Sequence, residues 1–247
     1  MSTAAEHYAG QLAPVYLWMA GGLDPALARG EAEVDAICPG RADGLVAVDL
    51  GAGFGMHALP LARRGYAALA IDTSAVLLGI LGGQVGMLSV RVVEDDLSAF
   101  QRHLKGKADL ILCMGDTLTH LPTRDAVEQL FTDVAAALQA GGTFVATFRD
   151  YTTALTGSSR FIPVKSDKDR ILTCFLEYGD DCVTVHDILH ERIDASWGQR
   201  VSAYQKLRLS TEWVVKALQA RGFSVRVEQG LAGMVRVVAG AHGQAAS

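Results

Sequence analysis

The sequence has no apolar run long enough to cross a bilayer, no block of lysines or arginines, and no two cysteines at metal-binding spacing. Each absence excludes something. Without about 20 consecutive apolar residues there is no membrane-spanning helix, so no membrane partner is expected. A protein that grips a phosphate backbone usually carries a basic stripe; here the formal net charge is −5, which weighs against a nucleic-acid partner. The four cysteines (Cys38, Cys113, Cys174, Cys182) show neither CxxC spacing nor a paired pattern, so neither a disulfide framework nor a zinc site is implied. The first residues, with Glu6 and His7, lack a basic start followed by an apolar core, so a secretory signal is not expected and a soluble, cytoplasmic protein is. Charge is also scarce, at 20% of 247 residues against 50% apolar, which permits a substantial core and argues against wholesale disorder.

What is present is a regular alternation. Residues 1–40 read as helical, with Asp24-Pro25 as a start signal and Pro39-Gly40 as a stop. From Leu45 the pattern changes to a short apolar run meeting glycines, the mark of a buried parallel strand. Helices are expected at Met56–Arg64, Ala75–Leu81 and Arg124–Leu138, the last with Val127, Leu130, Phe131, Val134 and Leu138 on one stripe and Gly141-Gly142 behind it. Strands are expected at Ala67–Ile71, Val90–Val93, Ala108–Met114 and Thr143–Phe148. Such alternation predicts an α/β fold, a doubly wound, mostly parallel sheet with helices on both faces. The rhythm breaks at about 160–209, where Ile171–Tyr178, Val183–Ile193 and Arg200–Leu209 read as three antiparallel strands with turns at Gly179-Asp180-Asp181 and around Gly198. A helix from Thr211, capped by Ser210, and strands near Phe223–Gln229 and Met234–Ala239 close the chain.

The chemistry concentrates at strand ends. In Asp49-Leu50-Gly51-Ala52-Gly53-Phe54-Gly55 the glycines let the backbone turn sharply and approach a ligand with no side chain between. The dinucleotide fingerprint wants its third glycine at position 56, which is Met; here it falls at Gly55. This GxGxG spacing with an acid before it resembles the first motif of class I methyltransferases. Asp72, at the end of the next strand and about 20 residues after the glycines, can accept both hydroxyls of a ribose, or alternatively cap the helix after it. A third segment, Val93-Glu94-Asp95-Asp96-Leu97, follows the next strand. A fourth, Met114-Gly115-Asp116-Thr117-Leu118-Thr119-His120-Leu121, is similar to the Gly-Asn-Ser-x-x-His-Leu segment of glycine N-methyltransferase-like, small-molecule methyltransferases, with Asp116 in place of Asn and Thr117 in place of Ser.

The four segments span about residues 46–121. The resemblance implies a Rossmann-like seven-stranded domain over 41–247, an N-terminal helical cap over 1–40 and an antiparallel insertion at about 160–209. It also implies S-adenosyl-L-methionine as cofactor, with S-adenosyl-L-homocysteine as product. Asp49, Gly51, Ala52 and Gly53 would form its cradle, Asp72 and Thr73 would meet the ribose, Asp96 (in preference to Asp95) and Leu97 the adenine, and the carbonyls near Cys113 and Met114 the ammonium group. The Asp/Asn-Pro-Pro-aromatic tetrad of methylases acting on base or amide nitrogen is absent, which counts against those substrates.

The remaining residues admit two readings each. Tyr8, Tyr16 and Trp18 can present aromatic faces to a cationic centre or simply pack an N-terminal helix. Arg149 and Tyr151, just past a strand, end at the ligand-binding face, where Arg149 can pair with a substrate carboxylate or a loop acid. His120 faces the substrate or orients a loop; His57 lines the cofactor cleft or the surface. His186 and His190 stand four apart on a strand, about 13 Å, too far for one ion, and no metal is expected. The function that follows is metal-independent in-line transfer of a methyl group to nitrogen or oxygen of a small molecule, with Asp116 or His120 as base if the acceptor is a hydroxyl. A nicotinamide-dependent oxidoreductase and a non-catalytic S-adenosylmethionine-binding sensor or partner protein are the alternatives. Edge strands of the insertion leave a homo-oligomer open.

Overall fold

The structure, a computed structural model, describes residues 13–194 and 196–241. A seven-stranded sheet forms its centre, from β1 (Val46–Leu50), β2 (Ala67–Asp72), β3 (Val90–Glu94), β4 (Ala108–Cys113), β5 (Leu138–Phe148), β10 (Phe223–Gln229) and β11 (Val235–Ala241). Their order across the sheet is β10-β11-β5-β4-β1-β2-β3. Strands β5, β4, β1, β2 and β3 run parallel, and β11 is antiparallel to both its neighbours. The chain leaves β1 in one direction for β2 and β3 and in the other for β4 and β5. The crevice at that switch, outside the carboxyl ends of the strands, is where such sheets bind ligands.

Alternation along the strands divides the core between two faces. Val48 and Leu50 of β1, with Ile111 and Cys113 of β4, pack under α5 (Arg124–Ala137) and α6 (Thr211–Gln219), where Val127, Leu130, Phe131, Val134, Val214 and Leu218 close the layer. The opposite face is covered by α2 (Leu23–Ile37), α3 (Ala58–Arg63) and α4 (Ala75–Val85), through Leu27, Val34, Leu59, Leu61, Leu78 and Leu81. The helix over the N-terminal region is therefore part of the core. It starts at Leu23 with Gly22 before it and no side-chain cap, so Asp24 and Pro25 lie inside its first turn instead of ahead of it. A Cβ at Gly30 would come 1.8 Å from the Met56 carbonyl oxygen, so only glycine lets this helix cross so close to the loop after β1.

Between β5 and α6 the chain builds a separate antiparallel sheet, β6 (Phe161–Ser166), β7 (Arg170–Tyr178), β8 (Cys182–Ile193) and β9 (Ser196–Leu207). It has four strands where the sequence shows three. The missed strand, β6, lies at the sheet edge, contains Pro163 and is exposed along most of its length, so it carries no apolar alternation. The last hairpin turns at Asp194, in the left-handed region with φ 54°, and Gly198 lies inside β9 opposite Glu191. Likewise α5 ends at Ala137, ahead of the glycine pair, which belongs to an irregular start of β5 where the register against β4 shifts. The short helix α1 (Ala13–Met19) joins the insertion to the main domain: Val15 packs on Leu172 and Leu189 of the insertion, and Ala13 on Phe54 in the loop after β1 and Leu77 of α4. Among the described residues no helix is long and apolar enough to cross a membrane.

Candidate active site

A cleft of about 910 Å³ opens where β1, β2, β3 and β4 end, roofed by α1 and walled by the insertion sheet. Its inner half is backbone-rich. The Gly51 and Ala52 N–H groups both donate to the Ile71 carbonyl at 2.9 Å, which folds the glycine loop against the end of β2. Gly51 needs a positive φ of 77°, and a Cβ there would overlap Thr117 Cγ2 at 2.6 Å. Asp72 Oδ2 accepts from the Gly53 N–H and Oδ1 from the Ser74 N–H, each at 2.8 Å, so this carboxylate already fixes the loop on one side and the start of α4 on the other. The helix-cap role belongs to Ser74, whose Oγ accepts from the Leu77 N–H. Burial raises the Asp72 pKa, and the backbone donors oppose that shift.

Behind the glycines Asp49 is 1% exposed, and neither of its oxygens meets a donor in hydrogen-bond geometry. Desolvation pushes its pKa up to about 6, with His57 and the Ala58 N–H nearby as the groups that favour its charge. His57 is itself buried and its Nε2 lies 3.0 Å from Glu33 Oε2, a link from α2 to the loop that carries the glycines. Burial works against the imidazolium, but Glu33 and Asp49 outweigh it and raise the His57 pKa.

At the third strand end the two neighbouring acids separate in role. Asp95 takes Arg102 and His103 on one oxygen, and these partners hold its pKa well below the ordinary carboxylate range. Asp96 caps the turn Leu97–His103 through Ser98 and lines the cleft with Leu97. Thr73 lines it as well. Met114 and Gly115 do so at the end of β4, whereas the Cys113 side chain is buried in the core.

The outer half of the cleft is a chamber of side chains from distant parts of the chain. Asp116, 4% exposed and in the left-handed region with φ 73°, is its centre. Oδ1 accepts from the Arg149 N–H at 2.8 Å; Oδ2 accepts from the Tyr151 hydroxyl at 3.1 Å and from Lys206 Nζ at 2.5 Å. Burial alone would raise the Asp116 pKa, but Lys206, with these hydrogen bonds, lowers it. That suits an ionised anchor better than the base the sequence suggests. Tyr151, buried against Asp116, has its pKa raised. His120 stacks on Tyr204 with ring centroids 5.5 Å apart. Tyr16 reaches in from α1 and lines the cleft; burial and the charges of Asp72 and Asp116 raise its pKa. Asp187, on β8, accepts from the Cys174 thiol at 2.9 Å and completes the wall.

Most of the residues singled out by sequence therefore converge, but not all. Trp18 lies outside the cleft: its indole N–H donates to Asp167 at 2.5 Å and Arg170 stacks over its ring at 4.7 Å. Tyr8 lies outside the described residues. Arg149 lines the mouth of the cleft, where its guanidinium donates to the Ala232 carbonyl at 2.9 Å. His186 and His190 engage Glu177 and Gln199, in each case across to a neighbouring strand. Lys206, Tyr204, Asp187 and Glu33 were not legible as site residues. For Glu33 a signal existed: it stands on the apolar stripe Ala26, Leu27, Gly30, Val34, where a charge requires a partner. Among the described residues no three His, Cys, Asp or Glu side chains are gathered as a metal ion would need.

Comparison with known proteins agrees with this geometry. A family model described as a methyltransferase domain matches residues 47–142. No curated protein matches the chain. Among solved structures, the CcbJ methyltransferase from Streptomyces caelestis superposes with a TM-score of 0.76 at 18% identity, covering 95% of this chain and 98% of its own. An amino pentose methyltransferase from Micromonospora echinaspora involved in calicheamicin biosynthesis, solved with S-adenosylmethionine bound, gives 0.73 at 17% identity, covering 93% and 96%. A sugar N-methyltransferase from Streptoalloteichus sp. gives 0.72 at 14% identity, covering 94% of each. The chain shares the fold of these methyltransferases over more than nine-tenths of its length.

Proposed function

We propose that this chain transfers the methyl group of S-adenosylmethionine to a nitrogen or oxygen of a small molecule, by in-line displacement without a metal. The observation that carries the reading is the Asp72 carboxylate clamped to the Gly53 N–H at a strand end, beside the buried Asp49 carboxylate. A cofactor with a ribose and an ammonium group fits both: Asp72 has lone pairs left for two hydroxyls, and Asp49 keeps an acid behind the loop where a cationic group would be favoured. Gly51, Ala52 and Gly53 would cradle it with Thr73 alongside, Asp96 and the Leu97 N–H would meet the adenine, and carbonyls at Cys113 and Met114 would share the ammonium. When bound, the cofactor supplies a methyl already activated by a positive sulfur.

The protein's part is then alignment and exclusion of water. Tyr16, Tyr151, Tyr204 and His120 wall the acceptor chamber, and Arg149 stands at its mouth. A neutral amine needs no base for attack. For a hydroxyl acceptor His120 is the better-placed proton acceptor, because Asp116 already takes three donors. Two structural neighbours are named for an amino pentose and a sugar nitrogen, which favours testing amino sugars first. We read residues 41–247 as the methyltransferase domain, with residues 1–40 as its cap and the insertion as the acceptor wall. The four cysteines are free thiols, which suits a cytoplasmic setting.

Calorimetric titration with S-adenosylmethionine, S-adenosylhomocysteine and NAD tests this directly. Saturable binding of the first two is expected, weakened at least a hundredfold in Asp72→Ala, where both the ribose acceptor and the loop clamp are gone. Binding of NAD alone would return the glycine loop to the dehydrogenases.

A further inference from the structure

Lys206 has no part in the methyl transfer described above, yet it is a buried lysine, 9% exposed, at the end of the longest hairpin of the insertion. A buried ammonium is costly unless paired, and this one pairs with Asp116 Oδ2 at 2.5 Å, with the Tyr204 ring 5.7 Å from it. Asp116 in turn sits at the hinge of two devices. Its backbone, in the left-handed region without being glycine, opens the turn Thr117–His120: the Asp116 N–H donates to the Thr147 carbonyl at 3.0 Å and its own carbonyl accepts from Thr119 Oγ1 at 2.8 Å. That turn sets Thr117 against Gly51. Its side chain meanwhile holds the Tyr151 hydroxyl. A strained residue of this kind persists only where the surroundings over-determine it.

We propose, resting on the methyltransferase reading, that Lys206 is a positioning residue: from β9 it fixes the Asp116 side chain and thereby both the turn behind the cofactor loop and the Tyr151 hydroxyl in the acceptor chamber. The groups facing Asp116 are Lys206 from β9, Tyr151 and the Arg149 N–H after β5, His120 from its own turn, Tyr16 from α1 and the Cys113 thiol below. Only Lys206 among the side chains bonded to it is a cation, so its loss leaves a buried carboxylate with no bonded counter-charge and only His120 nearby to favour its ionised form. An amide at position 116, the residue found in the similar Gly-Asn-Ser-x-x-His-Leu segment, would still accept from Arg149 and Tyr151 but would need no lysine. The charged pair is thus an alternative to a neutral residue, and the two positions form one unit.

The test uses Lys206→Met, Lys206→Arg, Asp116→Asn and the double variant Asp116→Asn/Lys206→Met. Carbon-detected NMR follows the aspartate carboxyls with pH, the Asp116 signal being identified by its loss in Asp116→Asn. Wild type and Lys206→Arg should keep that carboxyl ionised throughout the acid range down to the acid limit of the fold, and Lys206→Met should titrate at least ten times more readily, one pH unit higher. Titration with S-adenosylhomocysteine at pH 6 and pH 8 should show binding weakened at least tenfold at pH 6 in Lys206→Met and restored to within threefold of wild type in the double variant. An unmoved Asp116 titration in Lys206→Met, or a double variant as weak as the single one, overturns the proposal. Should Lys206→Met fail to fold, recovery of folding in the double variant supports it and continued unfolding overturns it. If wild type binds no S-adenosylhomocysteine, the cofactor reading fails, while the carboxyl titration still decides whether Lys206 governs Asp116.

Discussion

Replacing Asp49 by asparagine should make the ligand-free protein more stable at neutral pH. The fold buries this carboxylate almost completely, and that burial outweighs His57 and the Ala58 N–H nearby, so its pKa rises from 3.8 to about 6. The sign follows from proton linkage. Below about pH 4 the group is protonated whether the chain is folded or not, and it costs nothing differential. Between about 4 and 6 the unfolded chain gives up its proton while the folded chain keeps it, so stability falls as pH rises. Above 6 the penalty is constant. A shift of about two units at about 1.4 kcal/mol each amounts to about 3 kcal/mol. Asparagine has nearly the same shape and, like the neutral acid, leaves a polar group unsatisfied, so that cost cancels at low pH.

Urea unfolding of wild type and Asp49→Asn between pH 4 and pH 8 is the assay. Near pH 4 the two midpoints should coincide; by pH 8 the variant should be ahead by about 3 kcal/mol, with the slope of free energy against urea unchanged. Other carboxylates add their own pH dependence, Asp95 and Asp116 at lower pH and in the opposite sense, but they do so in both proteins and drop out of the difference. On the proposed function, saturating S-adenosylhomocysteine should then narrow or reverse the difference, because a cationic ligand group near Asp49 would find no charge in the variant. Parallel pH curves for the two proteins would refute the reasoning, for they would mean that the buried carboxylate is satisfied in the folded chain.

Two further outcomes are expected. Glu33→Gln removes the carboxylate that raises the His57 pKa; a raised imidazole contributes stability below its unfolded pKa of about 6.5 and loses it as pH rises through the folded value. The variant should therefore lose on the order of 1–3 kcal/mol at pH 6 in urea unfolding and less at pH 9, and equal losses at both would show that the contact is not ionic. Methyl transfer, once an acceptor is found, should be unaffected by excess chelator, whereas loss on chelation and recovery with magnesium would overturn the metal-free step.

The sheet could be read from the sequence because its strands are short, buried and punctuated. Val46–Leu50 and Ala108–Cys113 are nearly unbroken apolar runs, and each expected strand of the main sheet lies within a few residues of the observed one. The inner half of the cleft was legible for a related reason. A sharp turn at a strand end needs glycine, and the proposed cofactor's ribose would need an acid at the next strand end, so Gly51, Gly53 and Asp72 stand at the local spacing that the proposed function requires. Both acids of the third strand end line the cleft, and Arg102 and His103 follow closely enough in sequence to occupy Asp95.

The acceptor half obeys no such local rule. Lys206 lies 90 residues from Asp116, and along β9 it reads only as one polar residue in a strand that already alternates poorly. Its meaning is created by the insertion sheet folding back over β4, a tertiary event that no spacing encodes. Trp18 shows the same limit from the other side: an aromatic residue in a segment suited to a lid, it is drawn out of the cleft by Asp167 and Arg170 of the insertion. On the proposed function, the cofactor would meet elements adjacent in sequence and the acceptor elements brought together only by the fold. Recognition of the acceptor could then change through the insertion and α1 while Gly51, Gly53 and Asp72 stay fixed, so that one sheet would serve many acceptors.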